Sequence, residues 1–166
     1  MKLYVMRHGT AEDHSATGDD ATRALTANGR DRVRDVARAL SDASEAPRLV
    51  IASPLIRALQ TAEIVHAHAK VETPLEVNAV MAPRGDALSF VRDAAKAGKK
   101  RMMVVGHEPD VSILVASLLG SPLEIGFAKS MVVSLRVPSD EGDAKLRFVL
   151  DPKTLEFHQD ARADGG

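Results

Sequence analysis

Cysteine is absent from the 166-residue chain, which removes disulfides, thiolate nucleophiles and cysteine-ligated zinc together. Tryptophan is absent too, and aromatic residues make up 3% of the sequence. With no alternation of basic and aromatic positions, a surface that stacks nucleic-acid bases is not expected. Neither sign of charge is in excess, since 22 Lys and Arg stand against 23 Asp and Glu, a formal net charge of −1. No global basic field exists to draw in nucleic acid or an acidic membrane, so any anion site has to be local. No apolar run is long enough to span a bilayer, and a first strand beginning at Lys2 leaves no room for a cleavable signal ahead of it. The expectation is a soluble, cytoplasmic protein with no nucleic-acid or membrane partner.

What is present is enough hydrophobic residues, 45%, to bury one sizeable core but not two. One domain is expected over residues 1–160, with a frayed tail at 161–166. Short apolar runs at Lys2 to Arg7, Leu49 to Ala52, Leu75 to Val77, Arg101 to Val105, Met131 to Val137 and Leu146 to Leu150 alternate with stretches of helical spacing. That alternation predicts a layered α/β domain with a largely parallel sheet of about six strands. The last two runs, separated by polar Pro138 to Asp143, are expected to pair antiparallel. Val33, Val36, Ala37 and Leu40 mark the buried stripe of a helix after Thr26. Ser53 and Pro54 read as the N-cap and first residue of a second helix, which places Arg57 in its first turn. Asp86 is expected to cap a third helix that Gly98 ends, and Pro109 to open a fourth.

The chemistry begins where the first run ends, at Arg7, His8 and Gly9. An imidazole nitrogen attacks phosphorus at neutral pH without a metal, provided a fixed cation offsets the repulsion between a phosphoryl dianion and incoming electron density. Arg7 supplies that cation. Gly9 is expected to let the backbone turn sharply and a phosphate approach main-chain N–H groups. Two further strand ends are chemically loaded, Ser53 with Arg57 and Gly106 with His107. In an open parallel sheet these ends converge, and helix N-termini aim their partial positive charge there. Two arginines and two histidines are therefore expected around one anion, each Arg–phosphate bond worth about 1.5–3 kcal/mol.

With these residues in hand, the chain resembles the histidine phosphatase superfamily, and within it the short SixA-type phosphohistidine phosphatases. The resemblance rests on Arg7, His8 and Gly9; on Arg23 to Thr26 with Gly29; on Ser53, Pro54, Arg57, Ala58 and Gln60 to Ala62; and on Gly106 to Pro109. It implies a phosphoglycerate-mutase-like three-layer sandwich, a mixed sheet with helices on both faces. It also implies that His8 is the nucleophile, forming a transient phosphohistidine, while Arg7, Arg57 and His107 hold the equatorial oxygens. No metal or organic cofactor is implied. His8 would need one ring nitrogen unprotonated, its other donating to a backbone carbonyl, whereas a neighbouring dianion would favour a protonated His107.

Gly9, Thr10, Ser53, Arg23, Arg84 and Glu108 are further candidates for the phosphate pocket or its rim. Thr10 reads equally as a turn residue, and Arg23 equally as the partner of Asp19 or Asp20. Glu12, Asp13 and His14 read as a solvated loop. His66 and His68, two apart on a helix, do not share a face as metal ligands would. An imidazole leaving group, with a pKa of about 6.5, needs less acid assistance than an alkoxide. The sequence offers no obvious acid loop between Leu75 and Asp86, which favours a phosphohistidine-bearing protein as substrate over small phosphorylated metabolites. A small-molecule phosphomonoesterase or pyrophosphatase of the same superfamily is the alternative, and a non-catalytic phosphate-binding adaptor a further one. A monomer is expected.

Overall fold

The computed structural model describes residues 1–159; the tail expected at 161–166 lies outside the described residues. The elements follow in the order β1 (Lys2–Arg7), α1 (Ala27–Asp42), β2 (Leu49–Ala52), α2 (Ile56–His68), β3 (Glu76–Val77), α3 (Ala87–Lys96), β4 (Arg101–Gly106), α4 (Asp110–Leu119), β5 (Val132–Arg136), β6 (Lys145–Leu150) and β7 (Phe157–His158). They form one sheet in the order β3-β2-β4-β1-β5-β6-β7. Pairing is parallel from β3 through β2 and β4 to β1, and antiparallel from β1 through β5 and β6 to β7. The sheet is thus mixed, with one more strand than the six apolar runs suggest. Strand β7 has two exposed residues and pairs through Val149 with His158 and Leu150 with Phe157, so no apolar run marks it.

Strands β1, β2, β4 and β5 are buried on both faces, which is why they read as continuous apolar runs. Tyr4, Met6, Met103 and Val105 pack with Val33, Val36 and Leu40 of α1 and Ala58, Ala62 and Val65 of α2. Leu3, Val5, Met102 and Val104 face the other way, onto Val91 of α3 and Val111, Leu114, Val115 and Leu118 of α4. The period-two alternation of β1 and β4 therefore builds two cores, one on each side of the sheet. Among the described residues, no helix is long and apolar enough to cross a membrane.

Helix ends follow local chemistry. Thr26 caps α1 by accepting the Gly29 N–H, and Asp86 caps α3 by accepting that of Ser89. Gly98, at φ +78°, follows α3 in the left-handed conformation that ends it. At the amino edge of the parallel strands, Glu45 accepts from Tyr4 Oη at 2.6 Å, Arg147 Nη2 at 2.6 Å and Lys2 Nζ at 3.3 Å. This ionic knot ties the segment after α1 to β1 and β6, at the end of the sheet away from the strand ends that carry the site candidates.

Candidate active site

Strand register brings the candidate residues together. Arg7 on β1 pairs with Gly106 on β4, and Val105 with Ala52 on β2, so His8, His107 and Ser53 leave adjacent strands at closely matched levels. The His8 N–H donates to the Gly106 carbonyl at 3.0 Å, and the Ser53 N–H to that of Val105 at 3.1 Å. After β1 the chain leads to a helix on one face of the sheet, and after β4 to a helix on the other. Where adjacent strands diverge in this way, a crevice opens at their carboxyl ends.

The rings of His8 and His107 stand with centroids 5.2 Å apart and planes inclined by 53°, and both are buried. His8 Nδ1 lies 2.7 Å from the Gly9 carbonyl. A carbonyl only accepts, so Nδ1 carries the proton and Nε2 keeps its lone pair. The Gly9 N–H in turn donates to Thr61 Oγ1 at 3.0 Å, and that hydroxyl donates to the Arg57 carbonyl at 2.7 Å. The reason for glycine at position 9 therefore differs from the expected one. Its N–H is taken by Thr61, and a Cβ there would stand 2.8 Å from Val33 Cγ2, so close packing on α1 requires the missing side chain. Gly29 serves the same contact from the other side, since a Cβ would fall 2.1 Å from the Thr10 carbonyl oxygen.

Ser53 does not cap α2. The helix starts at Ile56, after Leu55, with no side-chain cap, because the Ser53 hydroxyl turns to His107 Nε2 at 2.8 Å. The same oxygen accepts the Leu55 N–H at 3.3 Å. His107 thus spends Nε2 on Ser53 and keeps Nδ1 buried without a partner. Burial pushes His8 down to about 3, with the charges of His107, Arg57 and Arg7 reinforcing it against the Gly9 bond. Burial also lowers His107, to about 4, with Arg57 adding and Asp110 and Asp20 opposing. Both rings are neutral at pH 7 in the anion-free protein.

Each arginine is pinned along one side of its guanidinium. Arg7 Nη1 donates to the Phe127 carbonyl at 2.8 Å. Arg57 Nη1 donates to the Asp20 carbonyl at 2.8 Å and Nη2 to the Asp20 carboxylate at 3.0 Å. Arg7 Nε, Arg57 Nε, His107 Nδ1 and Ser130 Oγ are buried without a partner. Buried polar groups are rarely left unpaired, and the orphan Nε–H donors of Arg7 and Arg57, with the unpartnered Nδ1 of His107 beside them, match the needs of a tetrahedral oxyanion. The arginines thus offer the Nε side of the fork.

The remaining candidates divide. Thr10 is exposed, and its carbonyl accepts the Thr26 N–H at 3.0 Å. Arg23 reaches the cage through Asp20, its Nε 2.8 Å from that carboxylate. Arg84 is exposed, and its backbone N–H is bound by Asp110 at 3.1 Å. Glu108 folds back onto Ser112, accepting from its hydroxyl at 2.7 Å. Three residues outside the candidate set also contact the candidates. Thr61 follows Arg57 at helical spacing, a signal that was legible. Asp20 was legible only as a partner of Arg23. Ser130, at φ +67°, donates its N–H to the carbonyls of Arg7 and His8 at 3.2 and 3.3 Å, and nothing local announces it.

Known proteins share this fold. The family model of the histidine phosphatase superfamily (branch 1) matches residues 3–81. Phosphohistidine phosphatase SixA of Escherichia coli (strain K12) is 29% identical over 160 residues, covering 95% of this chain and 98% of that protein. An uncharacterized protein of Picosynechococcus sp. is 36% identical over 114 residues, 67% of this chain and 68% of its own. The solved structure of the protein histidine phosphatase SixA complexed with tungstate superimposes with a TM-score of 0.86 at 29% identity, covering 94% of this chain and all of that one. With motif, sheet order and relatives in agreement, the chain belongs to the histidine phosphatase superfamily.

Proposed function

We propose that the protein is a metal-independent phosphatase that passes a phosphoryl group through His8, and that its substrate is phosphohistidine on another protein. The observation that carries this reading is the His8 ring itself. Its Nδ1–H is committed to the Gly9 carbonyl, which leaves an Nε2 lone pair in a site that also holds the orphan Nε–H donors of Arg7 and Arg57 and the unpartnered Nδ1 of His107.

In the first step His8 Nε2 forms a bond to phosphorus in line with the departing nitrogen, whose bond to phosphorus breaks. The substrate imidazole, protonated on its other ring nitrogen, takes the electron pair of the broken bond and leaves as neutral imidazole. Arg7 and Arg57, through their Nε sides, and His107, protonated beside the dianion, through Nδ1–H, bind the equatorial oxygens as charge builds on them. Water then attacks phosphorus, the P–Nε2 bond breaks with its electron pair returning to Nε2, and phosphate departs carrying the protons of the water, so that His8 is regenerated with its proton on Nδ1.

The state of the nearby carboxylates supports a nitrogen leaving group. Asp20 is held below the usual carboxylate range by the hydrogen bond from Arg23, with Arg57 contributing, and Glu108 is engaged with Ser112. Neither is poised as a proton donor, and an imidazole needs little acid assistance. Turnover of a phosphohistidine-bearing protein, measured beside a panel of sugar and nucleotide phosphates in the presence of a chelator, tests the reading. Preference for the phosphohistidine protein, unaffected by chelation, is expected; turnover of metabolites alone, or loss of activity on chelation, would overturn it.

A further inference from the structure

We propose that Asp20, a residue of the exposed loop between β1 and α1, is the positioning residue that aims Arg57 at the phosphoryl group. This rests on the phosphatase reading above and assigns a part of its machinery. Arg57 is buried, its side chain 6% exposed, while that of Asp20 is 65% exposed, so a surface loop orients an interior cation. The contact is two-pronged. The Asp20 carbonyl accepts from Arg57 Nη1 at 2.8 Å, and its carboxylate Oδ2 from Nη2 at 3.0 Å. Two bonds along one edge fix the rotation of a planar guanidinium, which a single bond does not. The remaining nitrogen, Nε, is the one left buried and unpartnered.

Asp20 is itself braced. Its other carboxylate oxygen accepts from Arg23 Nε at 2.8 Å, and Arg23 Nη1 donates to the Glu12 carbonyl at 3.1 Å. A continuous chain of contacts therefore runs from Glu12 through Arg23 and Asp20 to Arg57, and it gives Arg23 a supporting part instead of a direct phosphate contact. Asp20 does not serve as a proton donor, since both cations favour its ionised form. Its effect is geometric, and a small misalignment of a group that stabilises the transition state costs rate out of proportion to ground-state affinity.

Asp20→Asn and Asp20→Ala separate this role from a merely structural one. The backbone carbonyl contact survives in both. Expected are a fall in kcat of about tenfold, an affinity for tungstate that is unchanged or tighter because a negative charge near the dianion is gone, and an unaltered melting temperature. In wild type, tungstate should shift the Arg57 Nε–H resonance and slow its exchange with solvent; in both variants this response should weaken. Wild-type kcat with an intact Nε–H response in the variants would overturn the proposal, as would parallel loss of stability and tungstate binding. If wild type turned over no phosphohistidine yet showed the Asp20-dependent response, the substrate reading would fall and the positioning role would stand.

Discussion

The Thr61 hydroxyl holds the Gly9 N–H at 3.0 Å, and through it a residue on α2 sets the position of the loop whose carbonyl fixes the His8 tautomer. Valine at position 61 has nearly the same shape and neither hydrogen bond. Thr61→Val should lower kcat by about tenfold or more, because the Gly9 carbonyl is no longer held against His8 Nδ1. Thr61→Ser should restore most of the loss. Nitrogen NMR of His8 reads the cause: a single Nδ1–H tautomer in wild type and the serine variant, a tautomer mixture in the valine variant.

Arg7 and Arg57 each spend Nη1 on a backbone carbonyl and keep Nε unpaired. Lysine retains the charge but cannot bind a carbonyl and an oxyanion in one plane. Arg7→Lys and Arg57→Lys should each reduce kcat/KM by about a hundredfold, a loss visible in steady-state kinetics. Near wild-type activity in either variant would mean that charge alone is required.

Much of this cage was legible in the sequence, since Arg7, His8, Arg57 and His107 sit at strand ends or in a first helical turn, where local pattern locates them. What was not legible depends on contacts between distant segments. Ser53 has the local chemistry of a helix cap, yet a histidine 54 positions away claims its hydroxyl. Gly9 suggests a phosphate-facing turn, but the Val33 side chain explains it. Asp20 reaches Arg57 across 37 residues, and Ser130 meets the catalytic loop only because β5 lies beside β1. Strand β7 has no apolar pattern because it is an exposed edge pair.

The two site histidines make acid stability a direct readout. Their folded values, about 3 and about 4, lie below the 6.5 of a free imidazole, so below pH 6.5 the unfolded chain takes up protons that the folded chain refuses. Stability is then expected to fall as the pH drops from about 6.5 toward 4, because the unfolded state binds more protons. The melting temperature of a His8→Asn, His107→Asn double variant should depend less steeply on pH across that window. Tungstate should raise the His107 value, since a neighbouring dianion favours the imidazolium, and proton NMR titration of the ring checks it.

Glu45, at the far edge of the sheet, adds to the loss of stability in acid over a lower pH window. Its carboxyl is drawn down to about 2, because bonds from Arg147, Tyr4 and Lys2 outweigh the burial that would raise it. The stabilisation is present above 4.5, the value of a free glutamate, and is lost as pH falls toward 2. Glu45→Gln should cost about 1–2 kcal/mol at pH 7, between exposed and buried ion pairs. Urea unfolding should show that deficit shrinking with acidification, while kcat is unchanged.

In the proposed reaction a neutral imidazole, steered by its own loop carbonyl, takes the phosphoryl group. Rapid quenching during turnover of a 32P-labelled phosphohistidine protein, followed by peptide mapping under alkaline conditions, tests it most directly. Acid-labile label is expected on the peptide containing His8, with neither label nor turnover in His8→Ala. Label on another residue, or turnover that persists in His8→Ala, would contradict it.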